Sequence, residues 1–321
     1  MQSKFNSLTK ILKTKYPLIQ GGMAWISDAC LAASVSNAGG LGVIAAGNAP
    51  TSWVKEQIRL IRTKTDRPFG LNIMLLSPYA DEIAALASEE KVPVVITGAG
   101  NPGKYIKAWK ENGIITAPVV ASSALAIMME KTGVDFVIAE GCEAGGHIGE
   151  MTSMVLTPDI VRSVSIPVVA AGGICDANSV AAAFCLGASG VQVGTRFILS
   201  TDCNAHINYK EKIIKSKDID SRVTGRVTGH PVRILRNNLS RKMSALEFEE
   251  NAAEKIEKLG EGSLRKAVVD GDVREGSVMS GQCACLLDKV QTTEEIIKEL
   301  FDTDIFRTMG SGILNLAETY Q

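Results

Sequence analysis

The amino-acid sequence predicts an α/β protein: a (β/α)8 barrel with a small inserted subdomain and C-terminal closing helices. Three observations predict it. Eight short β-rich apolar runs lie between residues 16 and 199, the seven segments between them have helical periodicity, and the runs end in Gly, Asn or acidic residues. Alternating strand and helix signals mean βα units around a parallel sheet. An open dinucleotide-binding sheet uses about six strands without closure, whereas a closed barrel takes roughly 250 residues and accepts insertions. Eight runs favour the barrel.

The runs, in order, are YPLIQ, LGVIAA, FGLNIML, PVVIT, IITAPVV, DFVIAE, PVVAAG and GVQVG. The segments between them are DACLAASVSNAG, TSWVKEQIRLIRT, YADEIAALASEE, GKYIKAWKENG, SSALAIMMEKTG, TPDIVRSV and DANSVAAAFCLG, several closing on a Gly that suits a helix C-cap. After residue 199 the composition changes. YKEKIIKSKDIDSR is charged, VTGRVTGHPVRILRNNLS reads as extended or looped, and ALEFEENAAEKIEKLG reads as a solvated helix. The apolar stretch after GDVREGSVMSGQ looks helical, and two last helices are expected in TTEEIIKEL and over residues 305–319. The expected partition is a barrel from residues 1–199 and 271–321, with residues 200–270 as a subdomain near the active-site face.

Composition bounds the function classes. The 321 residues are 45% hydrophobic and 21% charged, and 34 basic against 35 acidic residues give a formal charge of -1. No global excess of positive charge favours nucleic acid or anionic lipid. Thirty Gly with ten Pro exclude a collagen-like or Pro-rich disordered chain. Seven Cys, without a CxxC pair or zinc-finger spacing, disfavour a disulfide framework or structural metal and fit a reducing compartment. The N-terminus alternates Lys with apolar residues as an amphipathic helix does, without a secretory signal, and no apolar run reaches membrane-spanning length. The expected location is the cytosol.

In a (β/α)8 barrel, catalytic groups sit at the C-terminal ends of the strands. Residues there include Gln20, Gly21, Gly22 and Met23 after the first run, Asn72 and Met74 in the third, and Gly98-Ala99-Gly100 after the fourth. The sixth is followed by Glu140, Glu143 and His147, the seventh by Ala171-Gly172-Gly173, and the eighth holds Gln192, Gly194, Thr195 and Arg196. The Gly172-Gly173 and Gly194-Thr195 turns fall where barrels bind phosphate through main-chain N–H groups, although each alone also reads as a tight turn.

GAGNPG, residues 98–103, matches GxGxxG. It follows the fourth run rather than the first and lacks a following acidic ribose ligand, so it reads as an active-site loop against a planar ligand. His147, in the Gly-rich loop EAGGHIG, is the clearest catalytic candidate, because imidazole exchanges protons near neutral pH. His206 and His230 read as capping, subdomain packing or substrate contacts. Glu140 and Glu143 are more economically hydrogen-bonding groups than a glycosidase pair. Gln20, Asn72 and Gln192 offer amides suited to a heteroaromatic ring such as a flavin, or ordinary strand-end hydrogen bonds. Met23, Met74 and Met279 suit either an apolar ligand or the core.

Taken together, YPLIQGGMAWISD, GGLGVIAAGNAP, PFGLNIMLLSP, VVITGAGNP, VIAEGCEAGGHIG, PVVAAGGICD, GVQVGTRF and GSVMSGQ resemble the flavin-dependent enoyl-acyl-carrier-protein reductases of bacteria. These belong to the broader nitronate monooxygenase-like superfamily. The resemblance runs over nearly the whole chain. It implies a barrel holding noncovalent FMN, NADH or NADPH as reductant, a trans-2-enoyl thioester on acyl-carrier protein as substrate, and a homodimer; it leaves open a bound monovalent cation. FMN contacts are expected from Gly22, Met23, Asn72, Glu140, Ala171, Gly172, Gly173, Gln192, Gly194 and Thr195, and from Ser280, Gly281 and Gln282. His147 matches the family's active-site histidine, either orienting substrate or supporting proton transfer. The alternatives are a nitronate monooxygenase using the same cofactor and loop with oxygen, and a flavoprotein without catalytic activity.

Overall fold

The computed structural model describes residues 2–308, 310 and 311. Its strands and helices, in chain order, are α1 (Gln2–Leu12), β1 (Leu18–Gln20), α2 (Ala29–Asn37), β2 (Gly42–Ala45), α3 (Thr51–Arg62), β3 (Phe69–Met74), α4 (Ala80–Glu89), β4 (Val94–Gly98), α5 (Gly103–Glu111), β5 (Ile115–Val120), α6 (Ser123–Thr132) and β6 (Val137–Glu140). Then come β7 (Gly146–His147), α7 (Ser153–Ser163), β8 (Val168–Ala171), α8 (Ala177–Cys185), β9 (Gly190–Val193), α9 (Thr195–Ile198), α10 (Ile207–Ile214), β10 (Ser221–Thr224) and β11 (Val232–Leu235). The last are α11 (Asn238–Leu246), α12 (Ala252–Gly260), α13 (Ser263–Val268) and α14 (Thr293–Leu300).

Eight parallel strands form one sheet in the order β1-β9-β8-β6-β5-β4-β3-β2. A parallel bridge between Ile19 and Leu41 joins its two ends, with the Leu41 N–H on Leu18 O at 2.8 Å and the Gln20 N–H on Leu41 O at 2.9 Å. The sheet therefore closes into the expected (β/α)8 barrel, and each of the eight runs supplies one of its strands.

Strand alternation sorts the residues. Inward positions at the lower end are apolar: Ile19, Leu41, Val43, Val94, Ile96, Phe136, Ile138 and Val169 share one buried cluster. Two turns of α1 complete that cluster. Leu8 and Leu12 are buried at 0% and 1% exposure, one above the other at i, i+4, and plug the bottom of the barrel. Gly190 makes room for the plug, because a Cβ there would lie 2.3 Å from Leu8 Cδ2. The amphipathic N-terminus is thus a structural stopper. Outward strand residues pack beneath the helix ring, for example Leu71 and Ile73 against α3 and α4, and Val191 and Val193 against Val180.

A second sheet, β10-β11-β7, is antiparallel and sits over the upper end of the barrel strands. Its members come from two distant segments: β7 follows barrel strand β6, while β10 and β11 belong to the insertion. Ile234, Leu239, Met243 and Ile256 form a small core of their own there. By contrast, Tyr209, Ile213, Ala267 and Val268 are buried in a cluster shared with the barrel.

Three local expectations change. Helix α7 begins at Ser153, earlier than TPDIVRSV, because the Glu143 carboxylate accepts the Ser153 N–H at 3.0 Å and caps the extra turn. The solvated helix ALEFEENAAEKIEKLG is two helices, broken where Asn251 turns left-handed at φ 55° so that Ile256 folds back onto the small core containing Met243. The apolar stretch after Gly281 is a five-residue 3-10 helix, Gln282–Leu286. Its entry is fixed by the Gly281 N–H on Thr195 Oγ1 and the Gln282 N–H on Glu143 O, each at 2.9 Å. Helix α14 matches TTEEIIKEL; the helix expected over residues 305–319 lies in large part outside the described residues. Among the described residues no helix is long and apolar enough to cross a membrane.

The plug makes a direct test. Leu8→Ala opens a cavity at the sealed end of the barrel and is expected to cost about 2–5 kcal/mol in chemical denaturation. Lys10→Ala, on the exposed face of the same helix, should leave the midpoint unchanged. Equal midpoints for Leu8→Ala and the parent chain would show that α1 does not seal the barrel.

Candidate active site

The same alternation that fills the lower barrel with aliphatic side chains places different residues at its upper end. Asn72 and Met74 continue the row of Gly70, Gln192 and Gly194 that of Gly190, Glu140 that of Ile138, and Ala171 and Gly173 that of Val169. These residues line a cleft of about 650 Å³, within the size range of small-molecule and cofactor sites.

Of the residues singled out from the sequence, Gly22, Met23, Asn72, Glu140, His147, Ala171, Gly172, Gly173, Gln192, Gly194, Thr195 and Gly281 all line this cleft. So do Met74, Met279 and the Gly98-Ala99-Gly100 loop. Ser280 and Gln282 do not: Ser280 is buried behind the lining and the Gln282 side chain is exposed. Their segment reaches the site through Gly281 and through the backbone bonds that tie it to Thr195 and Glu143.

Two amides divide in role. Gln20 is fully buried, and its Oε1 accepts the Val43 N–H at 3.0 Å while its Nε2 donates to Ser27 Oγ at 2.7 Å and to Gly21 O. It is a strand-end hydrogen-bonding group. Gln192, by contrast, has a buried Oε1 with no hydrogen-bond partner among the described residues, and it sits in the cleft wall. A buried amide oxygen left unpaired costs about 1–3 kcal/mol, so a donor from a ligand would offset a real penalty. Opposite, Gly22 lies so close to Asn72 that a Cβ would come within 2.4 Å of its Cβ.

The turn after β8 holds Gly172 and Gly173 at φ 96° and 73°, a conformation that favours Gly. At Gly172 a side chain would also meet Gly141 O at 2.9 Å. With Gly194 and Thr195 beside it, this turn supplies the close backbone approach that an anionic group requires. Arg196 points away from the cleft: it is buried, and its Nη2 reaches Glu299 Oε2 at 3.1 Å and Gln291 Oε1, bracing α9 against α14. The cleft wall is therefore glycine and amide, not guanidinium.

The loop between β6 and α7 carries the charged candidates. Glu143 is occupied in capping α7, where Ser153 Oγ also donates to it at 2.8 Å. Glu140 stays in the cleft, and desolvation pushes its carboxyl up to about 7. His147 is exposed at the mouth. Desolvation of its ring and the nearby charge of His230 both lower its pKa, which favours the neutral imidazole. His230, with Gly229 and Pro231, lines the cleft from the insertion, whereas His206 caps α10 with Nδ1 accepting the Asn208 N–H at 3.1 Å.

Among the contributors that sequence reading missed, three stand out. Leu264 lines the cleft from α13. Tyr209, fully buried, donates from its hydroxyl to Met279 O at 2.7 Å and so fixes a cleft methionine. Arg233 donates from Nε and Nη2 to Cys142 O at 2.9 and 2.7 Å. All three depend on long-range packing, and no local pattern marks them. Among the described residues no group of three or more His, Cys, Asp or Glu is placed to hold a metal ion, and all seven cysteines are free thiols.

The arrangement fits a planar, phosphorylated cofactor of the flavin mononucleotide type. An unpaired amide and Asn72 face the space for a ring edge, glycine turns at the seventh and eighth barrel strands suit a phosphate, and Met23 and Met279 flank the opening. Comparisons with known proteins agree. The nitronate monooxygenase family model matches residues 6–88 and 78–303. The solved structure of FabK from Thermotoga maritima superposes with a TM-score of 0.92 at 49% identity, covering 95% of this chain and 98% of that one. A probable nitronate monooxygenase of Staphylococcus aureus is 35% identical over 86% of this chain and 91% of its own length. A Mycobacterium tuberculosis protein described as an octahydroindene-carboxyl-CoA dehydrogenase is 29% identical over 91% of this chain and 94% of its own. The chain thus belongs to the nitronate monooxygenase family, on the branch of the FMN-dependent enoyl-acyl-carrier-protein reductases.

Proposed function

We propose that this protein is an enoyl-acyl-carrier-protein reductase that reduces the trans-2 double bond of enoyl thioesters in fatty acid elongation, with NADH or NADPH as the source of hydride and FMN as its carrier. The observation that carries the reading is the meeting of the glycine turns, the unpaired Gln192 amide and the His147 loop around one cleft, on a fold matched at 49% identity by FabK. Bound FMN would supply the two-electron chemistry that links the nicotinamide hydride to C3 of the enoyl chain, the proton at C2 coming from solvent or an acidic group of the cleft.

The chain's own residues bind and orient. Gly172, Gly173, Gly194 and Thr195 receive the phosphate, Gln192 and Asn72 hold the ring edge, and Gly22, Met23, Ala171 and Gly281 give it flat or adaptable walls. Ser280 and Gln282 act behind this wall by holding Gly281. Glu140 takes part mainly as a neutral carboxylic acid below pH 7, able to donate as well as accept. His147 remains an N–H donor as a neutral imidazole, placed to hold the thioester carbonyl oxygen as enolate charge develops there.

The barrel of residues 1–199 and 271–321 with a covering subdomain at 200–270, a homodimeric state, a cytosolic location, acyl-carrier protein as partner and a bound monovalent cation belong to the same proposal. The dimer, the carrier protein and the cation are expectations carried from the reductases, whereas the partition and the location rest on the composition of the sequence.

Three outcomes are expected. Under anaerobic conditions NADH or NADPH bleaches the bound flavin, and crotonyl thioester restores its colour. Oxygen uptake driven by an alkyl nitronate, with no reoxidation by the thioester, would instead identify the monooxygenase chemistry named for the S. aureus relative.

His147→Ala should slow the thioester-dependent reoxidation by about 10²–10³-fold, the usual loss of an oxyanion-stabilising donor. Bleaching by the nicotinamide should stay at the parental rate. Equal slowing of both steps would remove the assigned role.

Glu140 gives the third outcome through the stability of the cofactor-free protein. Its folded pKa lies above the unfolded value, so the folded state binds the proton more tightly. The contribution is complete below the unfolded pKa and is lost as pH rises from about 4.5 to 7. The melting temperature of the parent relative to Glu140→Gln should therefore fall over that interval and level off above it. A difference independent of pH would contradict the buried-carboxyl assignment.

A further inference from the structure

The loop that carries His147 is not held by the barrel alone. Strand β7 exists because β11 of the insertion pairs with it, Val232 opposite His147 and Arg233 opposite Gly146, and the Ile148 N–H extends the pairing to Pro231 O at 3.1 Å. From within that strand Arg233 turns its guanidinium under the loop. Nε and Nη2 both donate to Cys142 O, at 2.9 and 2.7 Å, and Nη1 donates to Ser221 Oγ at 2.8 Å on β10.

The residue is unusual in its setting. Arg233 is 6% exposed and makes no ion pair among the described residues. Burying a guanidinium without a carboxylate partner is costly unless its donors are satisfied. Here the donors go to one carbonyl oxygen of the loop and one hydroxyl of the neighbouring strand. A rigid two-pronged donor on a single carbonyl fixes both the position and the direction of that peptide. Cys142 is also held from the other side, its N–H on Met151 O at 2.7 Å. The peptide that starts the loop is thus clamped, while its far end, at His147, is paired to the same strand that supplies the clamp.

We infer that Arg233 is a positioning residue for the reduction of the enoyl thioester: by holding Cys142 O it sets the loop from which His147 meets the substrate. This rests on the reductase reading. Arg233 neither lines the cleft nor touches the space assigned to the flavin. Its loss should therefore act on the step that uses His147 and not on the step that loads hydride.

The experiment compares the two half-reactions of the FMN-loaded protein by stopped flow. Arg233→Met, which keeps the length and removes every donor, should leave bleaching by the nicotinamide at the parental rate and slow reoxidation by crotonyl thioester by about 10²-fold, the size expected for a misplacement near 1 Å. Ser221→Ala removes only the second anchor of the guanidinium and should slow the same half-reaction by a smaller factor. Parental reoxidation in Arg233→Met overturns the inference, as does equal slowing of both half-reactions. If Arg233→Met does not retain FMN, Ser221→Ala decides, and parental reoxidation there overturns it too. Failure of the parent protein itself to be reoxidised by the thioester would reject the reductase reading separately.

Discussion

Closure of the barrel is the constraint on which the rest depends. Eight parallel strands in a ring have no free edge, so every strand must present alternate residues to a shared interior. At the lower end this interior is sealed by aliphatic side chains and by Leu8 and Leu12 of α1. A packed and plugged lower half leaves the next inward positions, one pleat higher, as the floor of a cleft. Asn72, Glu140 and Gln192 are inward for the same geometric reason as Ile96 and Val169, and they differ only in height.

That floor is rigid, whereas the His147 loop above it is assembled from parts far apart in sequence. The loop leaves β6, accepts hydrogen bonds from Arg233 on Cys142 O and from the Gln282 N–H on Glu143 O, gives its Glu143 carboxylate to α7, and returns through pairing with β11. The insertion and the 276–282 segment are joined in turn, since the Leu235 N–H donates to Val278 O at 2.9 Å and Ile234 bridges Met279. A Gly-rich loop has high conformational entropy when free. Holding it through backbone bonds at several points restricts it without filling the cleft with side chains. The barrel supplies the binding surface and the insertion supplies the geometry of its reactive side.

The strands were readable because burial on both faces produces continuous apolar runs, and their ends fall next to Gly. Most of the cleft lining was readable for the same reason, since inward parity can be counted along a strand. Parity also separates the two glutamines, since Gln20 follows inward Ile19 and is outward, bonded to Val43 and Ser27, whereas Gln192 is inward. What could not be counted was which inward polar atoms stay unpaired, as the Gln192 Oε1 does. The early start of α7 was hidden because its cap, Glu143, lies ten residues before Ser153 rather than at the usual local position. Arg233 was hidden for a related reason: its segment, VTGRVTGHPVRILRNNLS, reads only as extended or looped, and the burial of Arg233 goes with the long-range pairing of β11 and β7.

The electrostatics follow from this division. A cleft that must accept hydride chemistry and a thioester needs few fixed charges, because an unpaired ion inside it would have to be desolvated with each ligand. Arg196 is turned outward to Glu299, Glu143 is committed to a helix terminus, and Arg233 is buried beneath the loop. What remains facing the cleft is a carboxyl raised to about 7 and two imidazoles, of which His147 has its pKa lowered. Desolvation of the Glu140 carboxyl, and ring desolvation together with the charge of His230 at His147, favour the two neutral forms by opposite shifts. Near neutral pH the imidazole, and the protonated fraction of the carboxyl, retain the ability to donate a hydrogen bond, so a ligand in the cleft meets oriented dipoles whose cost was met during folding.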